Sequence, residues 1–254
     1  MANILTDDPG FKYHEKTPKI DPKEFQKVID SRRSVRIYEK EPIPEKIIRQ
    51  CLHNALLAPN SSNLQPWEIY HIVDPAIRQL MNKACLDQIA AKTAATLFVA
   101  VARTNTWRQH AQEMVRFFES AGNVLKAAIW YYKRLVPFVY NQGFLGTWGL
   151  VKRLLFFIRG LKTPVIREPV SKCHIKIWAV KSTALACENL MLSLRAYGYD
   201  SCPMEGYDSK MIKKILNLPK DAIVVMVISA GKRAVGGVYG PRIRFDESRF
   251  LKKV

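Results

Sequence analysis

Apolar positions along the chain change period several times, and each change marks an element. Over 22–31 (PKEFQKVIDS), Phe25, Val28 and Ile29 fall on one face behind Pro22, a residue suited to the first helical turn, so the spacing predicts a short helix. A second helix is expected over 45–57, where Ile47, Ile48, Cys51, Leu52, Ala55 and Leu56 recur at helical spacing until Pro59 stops it. Residues 67–73 (WEIYHIV) alternate as a strand does, and Asp74-Pro75 opens a helix reaching about residue 91. Two continuous apolar runs of strand length, 96–102 (TLFVAVA) and 223–230 (IVVMVISA), suit central strands covered on both faces. From Ser182 to Tyr197, Leu185, Met191, Leu192 and Leu194 form a helical pattern ending at Gly198, a glycine C-cap. Helices alternating with a few buried strands predict an α+β or α/β sandwich, without an internal repeat.

One segment departs from this alternation. Between Ser120 and Arg167 there is no acidic residue, while Lys126, Lys133, Arg134, Lys152, Arg153, Arg159, Lys162 and Arg167 are interleaved with Trp130, Tyr131, Tyr132, Phe138, Trp148, Leu154, Phe156 and Phe157. A basic amphipathic stretch of this kind suits a membrane surface, a nucleic acid, or an aromatic face packed on a partner subunit or folded as a lid.

Composition narrows the class. The 254 residues, 48% hydrophobic and 24% charged, belong to a globular protein with a sizeable core. A net charge of +18 attracts anions in general, whether nucleic acid, anionic lipid or phosphorylated small molecules, and does not choose among them. The five cysteines, Cys51, Cys85, Cys173, Cys187 and Cys202, are odd in number and widely spread, which argues for reduced thiols and a cytoplasmic location. The opening MANILTDDPGFKYHEK carries Asp7 and Asp8 and lacks the apolar core of a secretory signal. No uncharged apolar run reaches the ~18 residues that a spanning helix needs.

Hydrolytic and nucleotide-loop signatures are missing: there is no GxSxG, HExxH, GxxxxGK[ST] or GxGxxG after a strand. His14, His53, His71, His110 and His174 are scattered, so no metal ligand set is expected, and no catalytic side chain stands out. Chemistry borrowed from a cofactor remains open. Arg32-Arg33-Ser34-Val35-Arg36 places three guanidinium groups and a hydroxyl in five residues, suited to a phosphate and the polar edge of a planar ring; the ordinary alternative is a solvated basic turn. In GPRIRF, Arg242 and Arg244 point to one side if the segment is extended, as a shared phosphate would require. The stretch APNSSNLQPW (58–67) holds more amides and hydroxyls than a turn needs.

Taken together and in order, RRSVR, APNSSNLQPW, the stretch GYDSCPMEGY (198–207) and GPRIRF resemble the nitroreductase family of FMN-dependent oxidoreductases across most of the chain. That resemblance implies a single α+β domain over 1–254, with a central mixed sheet flanked by helices and a variable cover at about 120–167. It also implies a homodimer that swaps terminal extensions and builds two FMN sites at its interface, with NADPH or NADH as reductant and a small-molecule electron acceptor. By the same resemblance Arg32, Arg33, Ser34, Val35 and Arg36 form the N-terminal flavin-binding run, and Arg242 and Arg244 a C-terminal phosphate clamp. Pro203, Met204, Glu205 and Gly206 match the turn that lies along the flavin ring. Ser61, Asn63 and Gln65 match groups that reach FMN across the interface, and Gln88 an amide that meets the pyrimidine; the family usually has serine where Asn60 stands. A nitroaromatic or quinone reductase of ping-pong mechanism is the first expectation, a reductive dehalogenase or flavin-destroying enzyme of the same fold the second. A basic nucleic-acid or membrane-surface protein is the third, and it explains none of the motif order. Nucleic acid is therefore not an expected partner, whereas peripheral membrane contact through 120–167 stays open.

Overall fold

The computed structural model describes residues 14–120 and 126–254. The N-terminal stretch read against a secretory signal falls mainly on residues 1–13, which lie outside the described residues, as do residues 121–125 of the basic aromatic segment.

The chain order is α1 (Pro22–Ser31), α2 (Glu45–Leu56), β1 (Trp67–Ile72), α3 (Pro75–Ala84), α4 (Ile89–Thr93), β2 (Thr96–Arg103) and α5 (Trp107–Ser120). There follow α6 (Lys126–Trp130), a π turn (Tyr131–Leu135), α7 (Val136–Tyr140), α8 (Thr147–Gly160), α9 (Lys172–Ala196), β3 (Asp200–Met204), α10 (Ser209–Ile215) and β4 (Ala222–Gly231). The two continuous apolar runs are the central strands: the sheet order is β1-β2-β4-β3, and every pairing between these strands is antiparallel. The expected α+β fold is present, and the parallel part of the mixed sheet reduces to one bridge, Ser34 to Ser201.

Burial on both faces explains why β2 has no polar alternation. Leu97, Val99 and Val101 enter a core roofed by α3, α4 and α10, while Phe98 and Ala100 enter one roofed by α2 and α9. Each such side chain, fully buried, contributes about 1.5–3 kcal/mol. A bulge lets β4 serve both cores: Ala100 faces Met226 but Val101 faces Val224, so Val225 is the extra residue. The parity of β4 therefore flips, and Val224 and Val227, three apart, reach the same core. A third cluster joins Ala102 and Leu64 to α5, to Tyr132, Val136 and Tyr140, and to the first turns of α9.

Three elements differ from the sequence expectation. The helix opened at Asp74, whose carboxylate accepts from the Ala76 and Ile77 amides, ends at Ala84 rather than near 91. Leu86 and Asp87 adopt φ of 55° and 53° and turn back onto the Lys83 and Asn82 carbonyls, so the helix resumes only at Ile89. Helix α9 starts at Lys172, ten residues before the expected start at Ser182: Ser171 caps it through the His174 amide, and Ile175, Trp178 and Ala179 extend the buried face upstream; its C-terminal glycine, Gly198 with φ 86°, is as expected. Residues 200–204 form an edge strand, a position that tolerates Pro203.

The described part of the basic aromatic segment is helical over most of 126–160, and Lys152 of α8 is fully buried, its Nζ donating to the Val139 and Pro169 carbonyls. Burial pushes its pKa down to about 8. The unfolded chain, with an ordinary lysine, then binds more protons than the folded one between about pH 8 and the usual lysine range, so this group makes stability rise with pH across that window. Urea melts of wild type and Lys152→Met from pH 7 to 10 should differ by a term that grows with pH; parallel pH profiles would show that Lys152 titrates normally.

Candidate active site

The arginine run follows α1 and lies along the sheet edge because its backbone is stitched to β3 and to the segment after β4. The Val35 amide donates to the Ser201 carbonyl at 3.1 Å and the Arg36 amide to the Gly237 carbonyl at 2.8 Å. Val35 itself is fully buried in the core, so its side chain anchors the run and does not line the cleft. Alternation then turns Ser34 and Arg36 towards the cleft side, which meets Val238–Arg244 of the C-terminal segment.

Arg32, Arg33, Ser34, Arg36, Arg242 and Arg244 line one cleft of about 220 Å³, with no carboxylate among its lining residues. The two basic motifs, more than two hundred residues apart, are thereby brought together. Arg33 donates to the Gly240 carbonyl, and Arg242 to the carbonyls of Asp30 (3.0 Å) and Arg32, which ties the tail to the end of α1. Arg36 lies over the Tyr239 ring, 5.1 Å from its centroid. Among the described residues Arg32 has one distant acid, Glu188 at 3.9 Å, and Arg244 donates only to its neighbour's carbonyl. On the edge strand that pairs with the run, Ser201 keeps a buried hydroxyl without a partner among the described residues, and burial pushes the Cys202 thiol up, so a neutral group adjoins Ser34.

Behind the run sits a clamp that the motifs did not signal. The Asp200 side chain is 2% exposed and accepts from Arg195 at 2.9 Å and from Arg233 at 2.6 and 3.1 Å. Arg233 also donates to the Ser31 carbonyl at 3.2 Å, so one buried carboxylate couples α9, the end of α1 and the strand edge. Tyr239 and Arg233 were invisible because each is a single residue whose partner is distant in sequence, and Arg195, five residues from Asp200, belongs to no motif.

Gln88 and Gly206 are also brought together: the break after α3 puts Gln88 at the cap of α4, and its Nε2 donates to the Gly206 carbonyl at 2.6 Å. Glu205 and Gly206 are exposed, Pro203 is half-buried, and the Met204 side chain belongs to the core, leaving only its backbone at the surface turn.

The loop of Ser61, Asn63 and Gln65 is not part of this cleft. Ser61 bonds the Tyr140 hydroxyl at 3.2 Å, and Ser62, at φ 60°, bonds Tyr131 at 2.6 Å and Tyr140 at 3.2 Å, while Tyr132 donates to the Ser62 carbonyl at 3.0 Å. Burial pushes both the Tyr140 and Tyr132 phenols up, Tyr132 to about 12, so they stay protonated. Asn60 has a structural task, accepting the Gln65 amide at 2.7 Å. Asn63 and Gln65 are exposed and point at little besides each other, at 3.5 Å. Asn60, Ser61 and Ser62 rim a different cleft of about 460 Å³, walled by Tyr131, Val139, Tyr140, Ile166, Pro169 and Trp178.

The fold and the paired basic motifs define a nitroreductase-like α+β protein, and comparison with known proteins agrees. Residues 29–232 match the family model described as the nitroreductase family. The chain is 28% identical over 215 residues to an NADH dehydrogenase of Thermus thermophilus, covering 85% of this chain and 89% of that one, and 28% identical over 206 residues to Protein DrgA of Synechocystis, covering 81% and 82%. A nitroreductase-like protein from Streptococcus mutans superposes with a TM-score of 0.70 at 22% identity, covering 92% of this chain and all of that one. An FMN-bound nitroreductase-like protein from Exiguobacterium sibiricum superposes with a TM-score of 0.66 at 22% identity, covering 94% and 100%. The chain belongs to the nitroreductase family.

Proposed function

We propose that this protein is an FMN-dependent oxidoreductase that takes electrons from NADPH or NADH and delivers them to nitroaromatic, quinone or similar flat acceptors in ping-pong turnover. The observation that carries the reading is the carboxylate-free cleft in which Arg32, Arg33, Arg36, Arg242 and Arg244 converge with Ser34. Those residues fit FMN: guanidinium forks match a phosphate, and no carboxylate lines the cleft to compete for them. Bound flavin would supply two-electron transfer between a nicotinamide and an acceptor, which needs no side-chain acid or base.

The chain's own residues then bind and orient. Arg242 is held by helix-end carbonyls, so its guanidinium is set in place before the phosphate arrives, and Arg36 is steadied by Tyr239. Gln88, fixed on the Gly206 carbonyl, presents an amide beside the exposed Glu205–Gly206 turn. Positive charge near the cofactor stabilises negative charge that develops on reduction.

The separation of Ser61, Asn63 and Gln65 from the arginine cleft supports a homodimer in which each copy's polar loop completes the other's site. The C-terminal tail supports it too: Ile243, Phe245, Phe250 and Leu251 are each more than 60% exposed, an apolar set that a second copy would cover. The reading treats 1–254 as one domain with 120–167 as its variable cover, in a reduced, cytoplasmic setting that suits its free cysteines.

Purified protein should be yellow, or become so after FMN reconstitution and desalting, and should bleach anaerobically with NADPH or NADH. Protein that stays colourless after reconstitution would sink the proposal, while yellow protein that no nicotinamide bleaches would remove only the reductant. Product analysis with nitroaromatic, quinone and halogenated substrates separates a reductase from a dehalogenase.

A further inference from the structure

Helix α8 presents its apolar side outward. Gly149 and Lys152 are buried and Phe156 half-buried, so they mark the line facing the body. Leu150, Val151, Leu154, Leu155, Phe157 and Ile158 are all exposed, Leu150, Leu154 and Phe157 at 60% or more. At 100° per residue they cover an arc of about 160°, with Arg153 at one border and Arg159 at the other. Scattered exposed leucines are ordinary, but a contiguous face of this width needs a partner. The face does not roll inward, because the buried Lys152 ammonium is fastened to the Val139 and Pro169 carbonyls on the opposite side of the helix.

We propose that α8 docks this face on an anionic lipid surface, lying in the plane of the interface with Arg153 and Arg159 reaching the headgroups. Charge complementarity selects that occupant: the whole segment 120–167 contains eight lysines and arginines and no acidic residue. A face-to-face pairing of two α8 helices would instead bring two such basic segments together and repel. No helix among the described residues is long and apolar enough to cross a membrane, so the contact is peripheral. Since Val139 and Pro169 also wall the 460 Å³ cleft, docking sets that cleft close to the lipid.

The test is sedimentation with vesicles of phosphatidylcholine alone or mixed with phosphatidylglycerol, at low and high salt. The full-length protein should pellet with the phosphatidylglycerol mixture, much less with phosphatidylcholine, and more weakly as salt rises. The double variant Leu154→Glu/Phe157→Glu should partition at least about tenfold less, whereas Arg153→Gln should lose about fivefold on the anionic vesicles alone. Val73→Glu, exposed and apolar but outside the segment, should bind as wild type does. Because Leu154 and Phe157 are exposed, the double variant should keep the wild-type melting temperature. Failure of wild type to pellet with phosphatidylglycerol overturns the proposal, as does unchanged binding by the double variant. A double variant that turns a dimer into a monomer also overturns it, since α8 is then a subunit contact. None of these readouts depends on flavin.

Discussion

Replacing Asp200 with alanine should lower the unfolding free energy by about 3 kcal/mol and strip the protein of its capacity to hold FMN. The carboxylate is 2% exposed and pairs with Arg195 and Arg233 at once, so its removal leaves two cations facing a dry pocket. Those guanidinium groups are 23% and 36% exposed and recover some hydration, which keeps the loss at the lower end of what a broken buried pair costs. The functional consequence follows from Arg233, whose second bond holds the Ser31 carbonyl and with it the start of the arginine run. Urea denaturation with an unchanged m-value would report the stability change, and Asp200→Asn, which keeps one of the two acceptor oxygens, should recover part of it. An Asp200→Ala midpoint equal to wild type would show that the triad is ornamental to the fold.

Arg244→Ala should raise the Kd for FMN about 10- to 100-fold while leaving the melting temperature of flavin-free protein unchanged. Among the described residues Arg244 donates only to the Ile243 carbonyl, so none of their contacts in the flavin-free chain depends on it. Arg242→Ala makes the informative contrast: it should weaken FMN binding and also destabilise the flavin-free protein, because Arg242 holds the helix-end carbonyls of Asp30 and Arg32. Fluorescence titration of FMN and thermal melts of the stripped protein separate the two effects. If Arg244→Ala binds FMN as wild type does, the C-terminal clamp is not a phosphate site. Both variants should lose salt sensitivity of binding along with affinity, since a screened charge contact is what they remove.

Local chemistry made much of this protein legible. Prolines and capping residues placed the starts of α1 and α3, Gly198 placed the end of α9, and the unbroken apolar runs marked β2 and β4 as the strands covered on both faces. The four motifs in order pointed to a flavin fold although each alone is a common surface feature. Features set by distant partners were hidden. The break at Leu86–Asp87 rests on left-handed backbone that leucine rarely adopts, whereas the first turns of α9 do carry Ile175, Trp178 and Ala179 at helical spacing, a local signal that a start at Ser182 leaves out.

By itself, then, the sequence determined the elements and their chemistry, because helix caps, strand alternation and the spacing of guanidinium groups act over a few residues. Tertiary structure decided which groups meet. It brought Arg242 and Arg244 to the RRSVR run, packed the Val35 and Met204 side chains into the core, clamped Asp200 between two arginines, turned Ser61 towards another cleft and left Asn63 and Gln65 exposed. Those outcomes depend on contacts across tens to hundreds of residues, which packing of the two cores against the sheet selects and which no local pattern encodes.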